Sequence, residues 1–322
     1  MKHFRKLLSV SCVAMLGLSG NAVAQANYPD RPVQMIVAYS AGGGTDIAAR
    51  TLAPFIGKYL DGDVTVVNKP GAGGEVGFTE LAQAKPDGYT IGFINTPNLV
   101  TIPIQRKTRY ELESFTPVSN VVYDPGGMQV LPDSDIQTVS DLVEYAKANP
   151  SAVTYGTTGI GSDDHLAMLA LERQAGVKMT HVPFPGSSAV RSALLGGHIT
   201  LGVFNMGEAV AMLKEKQVKS LGQMGETRWE MTSDVPTFKE QGFDIVQGSS
   251  RGIAAPAGVP DDIIEKLATA VQKAIADPEF QKKAAEQSLP LDASGPKAYS
   301  DMLYKTRDGY VELWQEQPWV AQ

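Results

Sequence analysis

Two segments of this 322-residue chain repeat one local order: a short apolar run, a glycine-rich turn, and the opening of a helix. In the first, residues 33–39 are followed by Ser40-Ala41-Gly42-Gly43-Gly44-Thr45-Asp46. In the second, Val153-Thr154-Tyr155 runs into Gly156-Thr157-Thr158-Gly159-Ile160-Gly161-Ser162-Asp163-Asp164-His165. Consecutive glycines let backbone N–H groups converge on one point, and a helix N-terminus adds partial positive charge there. Each turn is therefore a candidate nest for a carboxylate or phosphate. A chain that feeds strands through such turns into helices is confined to β-α-β architectures, with a mostly parallel sheet covered by helices.

The rest of the sequence keeps that alternation. Strands are expected at 64–67 and 89–94, with helices at 46–59 and 77–84. The second half gives a helix at 164–174, a strand at 179–182, a helix at 189–195 and a strand at 199–204. Asp261 opens a helix with the apolar stripe Ile264, Leu267, Val271 and Ile275, which stops before Pro278. A last helix is expected from 296 to 314. Asp124-Pro125-Gly126-Gly127 and Gly248-Ser249-Ser250-Arg251-Gly252 read as breaks that bracket a middle block. The expected division is a signal segment 1–24, one lobe from 25–125 with 250–322, and a second lobe from 126–249. Two crossings make a hinge, and a ligand would sit in the cleft between lobes.

The first two dozen residues carry Lys2, Arg5 and Lys6, a short apolar run over 7–18, and Ala22-Val23-Ala24. That is the order of a cleaved secretory signal, so a periplasmic mature chain is expected from about Gln25. The apolar run is too short to span a bilayer. With the signal removed, 25 Lys and Arg face 35 Asp and Glu, a net charge of −10. An acidic chain without basic runs argues against nucleic acid and anionic membrane surfaces. Any anion site must then be local, made from backbone donors and one or two basic side chains. The single cysteine, Cys12, lies in the signal, which excludes disulfides, thiol nucleophiles and cysteine metal sites from the mature chain.

The candidate ligand contacts on the first loop are Tyr39, Ser40, Ala41, Gly42, Gly43, Gly44 and Thr45, with Asp46 capping or bracing the turn. On the second loop they are Thr157, Thr158, Gly159, Gly161 and Ser162. Ser187, in Pro185-Gly186-Ser187-Ser188, precedes another helix, and Asn205 follows a strand where ligand-facing residues commonly sit. Neither loop is followed by Gly-Lys-Ser/Thr, and neither has a dinucleotide fingerprint, so nucleotide binding is poorly supported. No cofactor or metal is expected, since the histidines lack ligand spacing. The rival class is a secreted serine hydrolase, with Ser40 in a relaxed nucleophile elbow and a base among His165, His181 and His198. It lacks an earlier strand to supply oxyanion donors. Asn68-Lys69-Pro70-Gly71-Ala72-Gly73-Gly74 either lines the cleft or merely turns the chain.

These residues sit among motifs that resemble the Bug family of extracytoplasmic solute-binding proteins, the receptors of tripartite tricarboxylate transporters. The resemblance covers essentially the whole mature chain. It runs through Tyr28-Pro29-x-Arg31-Pro32, residues 41–46 and 68–74, Pro86-Asp87-Gly88-Tyr89-Thr90 and Phe115-Thr116-Pro117-Val118. It continues through residues 155–159, His181-Val182-Pro183-Phe184, Leu195-Gly196-Gly197 and Ala255-Pro256-Ala257-Gly258. It implies a two-lobed, type II-like binding fold with no enzymatic activity, a small mono- or dicarboxylate held by Ser40 to Thr45 and Thr157 to Ser162, and inner-membrane transporter subunits as partners. A monomer is expected, and a ligand sensor without a transport role is the alternative within the binding class. Asn205 stands where many members have Asp, and Ser250-Arg251 where many have an aromatic residue. Arg251 then pairs either a second ligand carboxylate or a surface or hinge acid.

Overall fold

The computed structural model describes residues 28–319; the signal-peptide residues and their cleavage site lie outside the described residues. The first sheet opens with β1 (Val33–Val37), whose VQMIV run is almost wholly buried, as a strand covered on both faces should be. It lies parallel to β2 (Val64–Asn68) and β3 (Thr90–Asn95). Helix α1 (Gly44–Leu60) connects β1 to β2, and α2 (Glu75–Ala82) connects β2 to β3. Helix α3 (Asn98–Gln105) then leads to β4 (Phe115–Pro125).

The chain enters the second sheet at β5 (Gly127–Val130), followed by α4 (Val139–Ala148), β6 (Thr154–Thr157) and α5 (Asp163–Ala175). Then come β7 (Thr180–Pro183), α6 (Ser187–Leu195), β8 (Leu201–Val203), α7 (Met206–Lys214) and β9 (Lys219–Gln223). It returns through β10 (Gly248–Pro256) to α8 (Asp261–Ala276), α9 (Pro278–Glu286), β11 (Leu291–Ser294) and α10 (Pro296–Glu316). Strand order is β11-β4-β10-β3-β1-β2 in the first sheet and β7-β6-β8-β5-β9 in the second. Each sheet has its own buried apolar cluster, one built around Met35, Leu52 and Phe93, the other around Tyr155, Met168 and Leu171. The whole stripe Ile264, Leu267, Val271 and Ile275 on α8 is buried, and α8 packs on α1.

The parallel βαβ units are present, and antiparallel strands complete both sheets. Strand β10 pairs antiparallel with β3 and β4, and β5 pairs antiparallel with β8 and β9. Most of the two segments read as breaks is strand: β4 ends at Pro125, Gly126 links it to β5, and residues 248–252 all lie in β10. Pro125 lies opposite Gly248 in the β4–β10 ladder, and the Gly126 N–H donates to the Gln247 carbonyl at 2.9 Å. The glycines there answer close packing, not a turn: a Cβ at Gly126 would lie 2.7 Å from Met224 Sδ, and one at Gly127 would lie 2.4 Å from Met206 Sδ. In sequence alone, the missing side chains look like flexibility.

Candidate functional site

The ends of the two sheets meet over a small polar cavity of about 20 Å³, room for roughly one water. Tyr39, Gly43, Gly44 and Thr45 line it from the first loop, with Asn95, Asn98, Ser249 and Arg251 beside them. The second sheet contributes Thr158, Asp163, Gly186, Ser187, Asn205 and Glu208. A larger groove of about 550 Å³ lies by Lys216 and Met231. Its lining includes no residue of either glycine loop.

Arg251 is the hub of the small cavity. It extends from β10, is 2% exposed, and reaches Asp124 Oδ2 at 3.1 Å, Glu208 Oε1 at 3.3 Å and Asn205 Oδ1 at 2.7 Å. Asn205, the residue before α7, donates its amide to the Asp124 carbonyl at 2.9 Å and to Asp163 Oδ2 at 2.7 Å. Burial pushes the Asp124 carboxyl up to about 7 against the opposing pull of Arg251, and burial likewise raises Asp163 to about 6. Asp164 is raised well above the ordinary carboxylate range by burial and by neighbouring Asp163, and Thr158 Oγ1 donates to it at 2.8 Å. Arg251 is thus one guanidinium among several buried acids. Its own protonation is secured chiefly by Glu208 and Asp124, which outweigh the burial that opposes it.

The first loop behaves as its composition predicts. Asp46 braces it, accepting the Gly42 N–H at 2.9 Å while holding Arg50 and Asn68. Gly44 opens α1, and its N–H donates to Glu208 Oε1 at 2.8 Å. A carboxylate therefore already lies on the candidate anion nest, supplied by α7 of the other sheet. Ser40 sits at the rim with its hydroxyl donating to the Pro185 carbonyl at 3.3 Å, and Ala41 is exposed. Gly42 is occupied with Asp46 and does not line the cavity.

The second loop divides differently. Thr158 lines the cavity, whereas Thr157, Gly159, Gly161 and Ser162 build the turn behind it. Thr157 Oγ1 lies 2.6 Å from His181 Nε2, the Gly161 N–H donates to His165 Nδ1 at 3.1 Å, and Ser162 caps α5 by accepting the His165 N–H. The His165 and His181 rings stack at 4.1 Å between centroids. Ser40 Oγ donates to the Pro185 carbonyl and makes no hydrogen bond to His165, His181 or His198, so among the described residues the serine–histidine pair of a hydrolase is not assembled. Among the described residues, too, no group of three or more His, Cys, Asp or Glu is placed to hold a metal ion, and no helix is long and apolar enough to cross a membrane.

Burial drives His165 down to about 3, with His181 adding to the effect. As pH falls from 6.5 towards 4, the unfolded chain takes up a proton that the folded ring refuses. The stability from His165 is complete above pH 6.5 and is lost on acidification, at up to about 1.4 kcal/mol per pH unit. Urea denaturation of His165→Asn across this range should show a shallower loss than wild type by that amount. Equal slopes would mean that the ring protonates inside the folded protein.

Asn95, Asn98, Asp124, Asp163, Glu208 and Ser249 were not anticipated from sequence. Glu208 looks there like an ordinary first-turn acid complementing a helix dipole, and Asp124 belongs to a segment that resembles a turn. Asn205 and Arg251 both reach the cavity, and Arg251 is engaged by internal acids.

Comparison with known proteins follows the same architecture. Residues 48–302 match the family described as tripartite tricarboxylate transporter family receptor. A UPF0065 protein of the gbd 5′ region in Cupriavidus necator is 35% identical over 309 residues, spanning 95% of this chain and 94% of that protein. The solved periplasmic binding protein BugD superposes with a TM-score of 0.84 at 30% identity, covering 90% of this chain and 98% of its own. MatC from Rhodopseudomonas palustris, solved with bound malate, gives 0.84 at 25% identity, covering 88% and 99%. The paired glycine loops, the two mixed sheets and these matches agree: the chain belongs to the tripartite tricarboxylate transporter receptor family of solute-binding proteins, and not to an enzyme family.

Proposed function

We propose that this chain is a periplasmic receptor that captures a small organic carboxylate between two lobes, residues 25–125 with 250–322 and residues 126–249. It then hands the ligand, as a monomer, to the inner-membrane subunits of a tripartite tricarboxylate-type transporter. The observation that carries the reading is the Glu208 carboxylate, held by the Gly44 N–H at 2.8 Å and Arg251 Nη2 at 3.3 Å. A site that already satisfies a carboxylate oxygen with a helix-terminal N–H and a buried guanidinium has the donors a free carboxylate needs. Malate in MatC supports the same ligand class.

In this reading Gly43, Gly44, Thr45 and Arg251 contact the ligand from one lobe, and Thr158, Ser187 and Asn205 from the other. Thr157, Gly159, Gly161 and Ser162 shape the second loop. Closure excludes water and is driven by the ligand's preference for the closed state. A panel of mono- and dicarboxylates that includes malate should raise the melting temperature of the mature chain for at least one member, with matching calorimetric heat. The stabilisation should reach about 2.7 kcal/mol at a hundredfold excess over Kd. A panel with neither thermal shift nor heat would overturn the ligand class.

A further inference from the structure

The carboxylate that occupies the nest belongs to the protein itself. Glu208 lies in the first turn of α7, and its side chain crosses to the N-terminus of α1 on the other sheet. Two further contacts tie the same helical turn to the first loop. Arg191 donates one nitrogen to the Glu208 carbonyl and another to the Gly42 carbonyl. Meanwhile, among the described residues, Glu208 Oε2, Asn95 Oδ1 and Arg251 Nε are buried without a hydrogen-bond partner. Buried polar atoms are as a rule paired, so three unpaired ones around a single carboxylate call for an explanation.

The space available points the same way. A cavity of about 20 Å³ takes a water and not a dicarboxylate. Arg251 already faces Asp124 and Glu208, with Asp163 one residue further through Asn205. An incoming anion added to these acids would meet more negative charge than positive. It can enter only by taking the place of a carboxylate that is there. Asp124 cannot yield, because its Oδ1 accepts the Gly207 N–H at 2.9 Å and it sits 1% exposed beside the strand crossing. Glu208, with a longer side chain and an Oε2 that has no hydrogen-bond partner among the described residues, can.

We propose that Glu208 is an internal stand-in for the ligand: in the ligand-free protein its carboxylate docks on the Gly44 N–H and Arg251, holds the two lobes together, and must be displaced by the incoming carboxylate. This inference rests on the carboxylate-receptor reading above. Glu208 sets affinity by competing for the site, so only ligands whose carboxylate outbids an intramolecular one are retained. The effective concentration of a tethered competitor is in the millimolar range, and removing it should tighten binding by at least tenfold.

The test compares wild type with Glu208→Ala, and with the near-isosteric Glu208→Gln should the alanine variant fold poorly. Small-angle scattering of the ligand-free variant should give a larger radius of gyration than wild type, and added acetate should restore the compact form by occupying the vacated position. Calorimetric titration with malate should show at least tenfold tighter binding by the variant. A ligand-free variant as compact as wild type, or malate bound no more tightly than by wild type, would overturn the proposal. If malate and the wider panel bind neither protein, the carboxylate reading falls instead, and scattering alone decides whether Glu208 holds the lobes.

Discussion

Replacing Arg251 with methionine should lower the unfolding free energy by about 3–5 kcal/mol, the largest single-residue effect expected in this protein. The side chain is as buried as the core around it, so methionine fills much of its volume without a gross cavity. What changes is charge. Asp124 loses its 3.1 Å partner, Glu208 its 3.3 Å partner, and Asn205 Oδ1 its donor. Removing one partner from a buried ionic cluster costs far more than the cluster contributes, because the acids left behind are still out of water.

The deficit should also depend on pH, in a direction that separates this cause from lost packing. Asp124 titrates at about 7 in the fold and at its ordinary value of 3.8 in the unfolded chain. Between those values the folded protein holds a proton that the unfolded chain has released. Asp124's contribution to stability therefore falls as pH rises from about 4 to 7 and then levels off in wild type, opposite in sign to that of His165. Without the guanidinium the folded value rises further, and the decline continues above pH 7. The wild-type minus variant difference, followed by denaturant melts, should thus be larger at pH 8.5 than at pH 6. A difference that is constant across pH would assign the loss to packing alone.

How far the sequence revealed this site depended on whether a residue acts through local or long-range contacts. The Gly42-Gly43-Gly44 turn and the Thr158 loop could be found because their chemistry is local: a strand, a turn and a helix N-terminus occur within a dozen consecutive residues. The apolar stripe of α8 was legible for the same reason, since its four residues share one helical face. Glu208 meets Gly44 across 164 positions and Arg251 meets Asp124 across 127, and nothing local marks either pair. The antiparallel strands were obscured by composition. Gly126, Gly127 and Gly248 serve as tight spacers under Met224, Met206 and Tyr123, and a spacer glycine cannot be told from a turn glycine without its neighbours. The two lobes were expected from the two crossings near 125 and 250 and from the family resemblance alike, but the internal acids that hold Arg251 came only from the structure.

Gly44→Ala should abolish ligand capture while leaving both sheets folded. The backbone at Gly44 is helical, and the positive-φ glycine of this loop is Gly42, so alanine imposes no backbone strain. The obstacle is space. A Cβ there would lie 2.1 Å from Glu208 Oε1 and 2.7 Å from Arg251 Nη1, where the carboxylate receives its N–H. Any carboxylate seated on that N–H, whether from Glu208 or from a ligand, meets the same methyl group. Affinity for malate, or for whichever panel member binds, should fall at least a hundredfold, about 2.7 kcal/mol. Gly197→Ala is the contrasting substitution. Its φ of +67 would strain an alanine by about 1–2 kcal/mol, but a Cβ there meets nothing within 4 Å, so it should weaken the fold and spare binding. The double variant Gly44→Ala with Glu208→Ala decides which carboxylate the methyl excludes. If the internal carboxylate were the only one using the Gly44 N–H, removing it would relieve the clash and restore affinity. Because the ligand is expected on the same N–H, calorimetry should instead find the double variant as weak as Gly44→Ala alone.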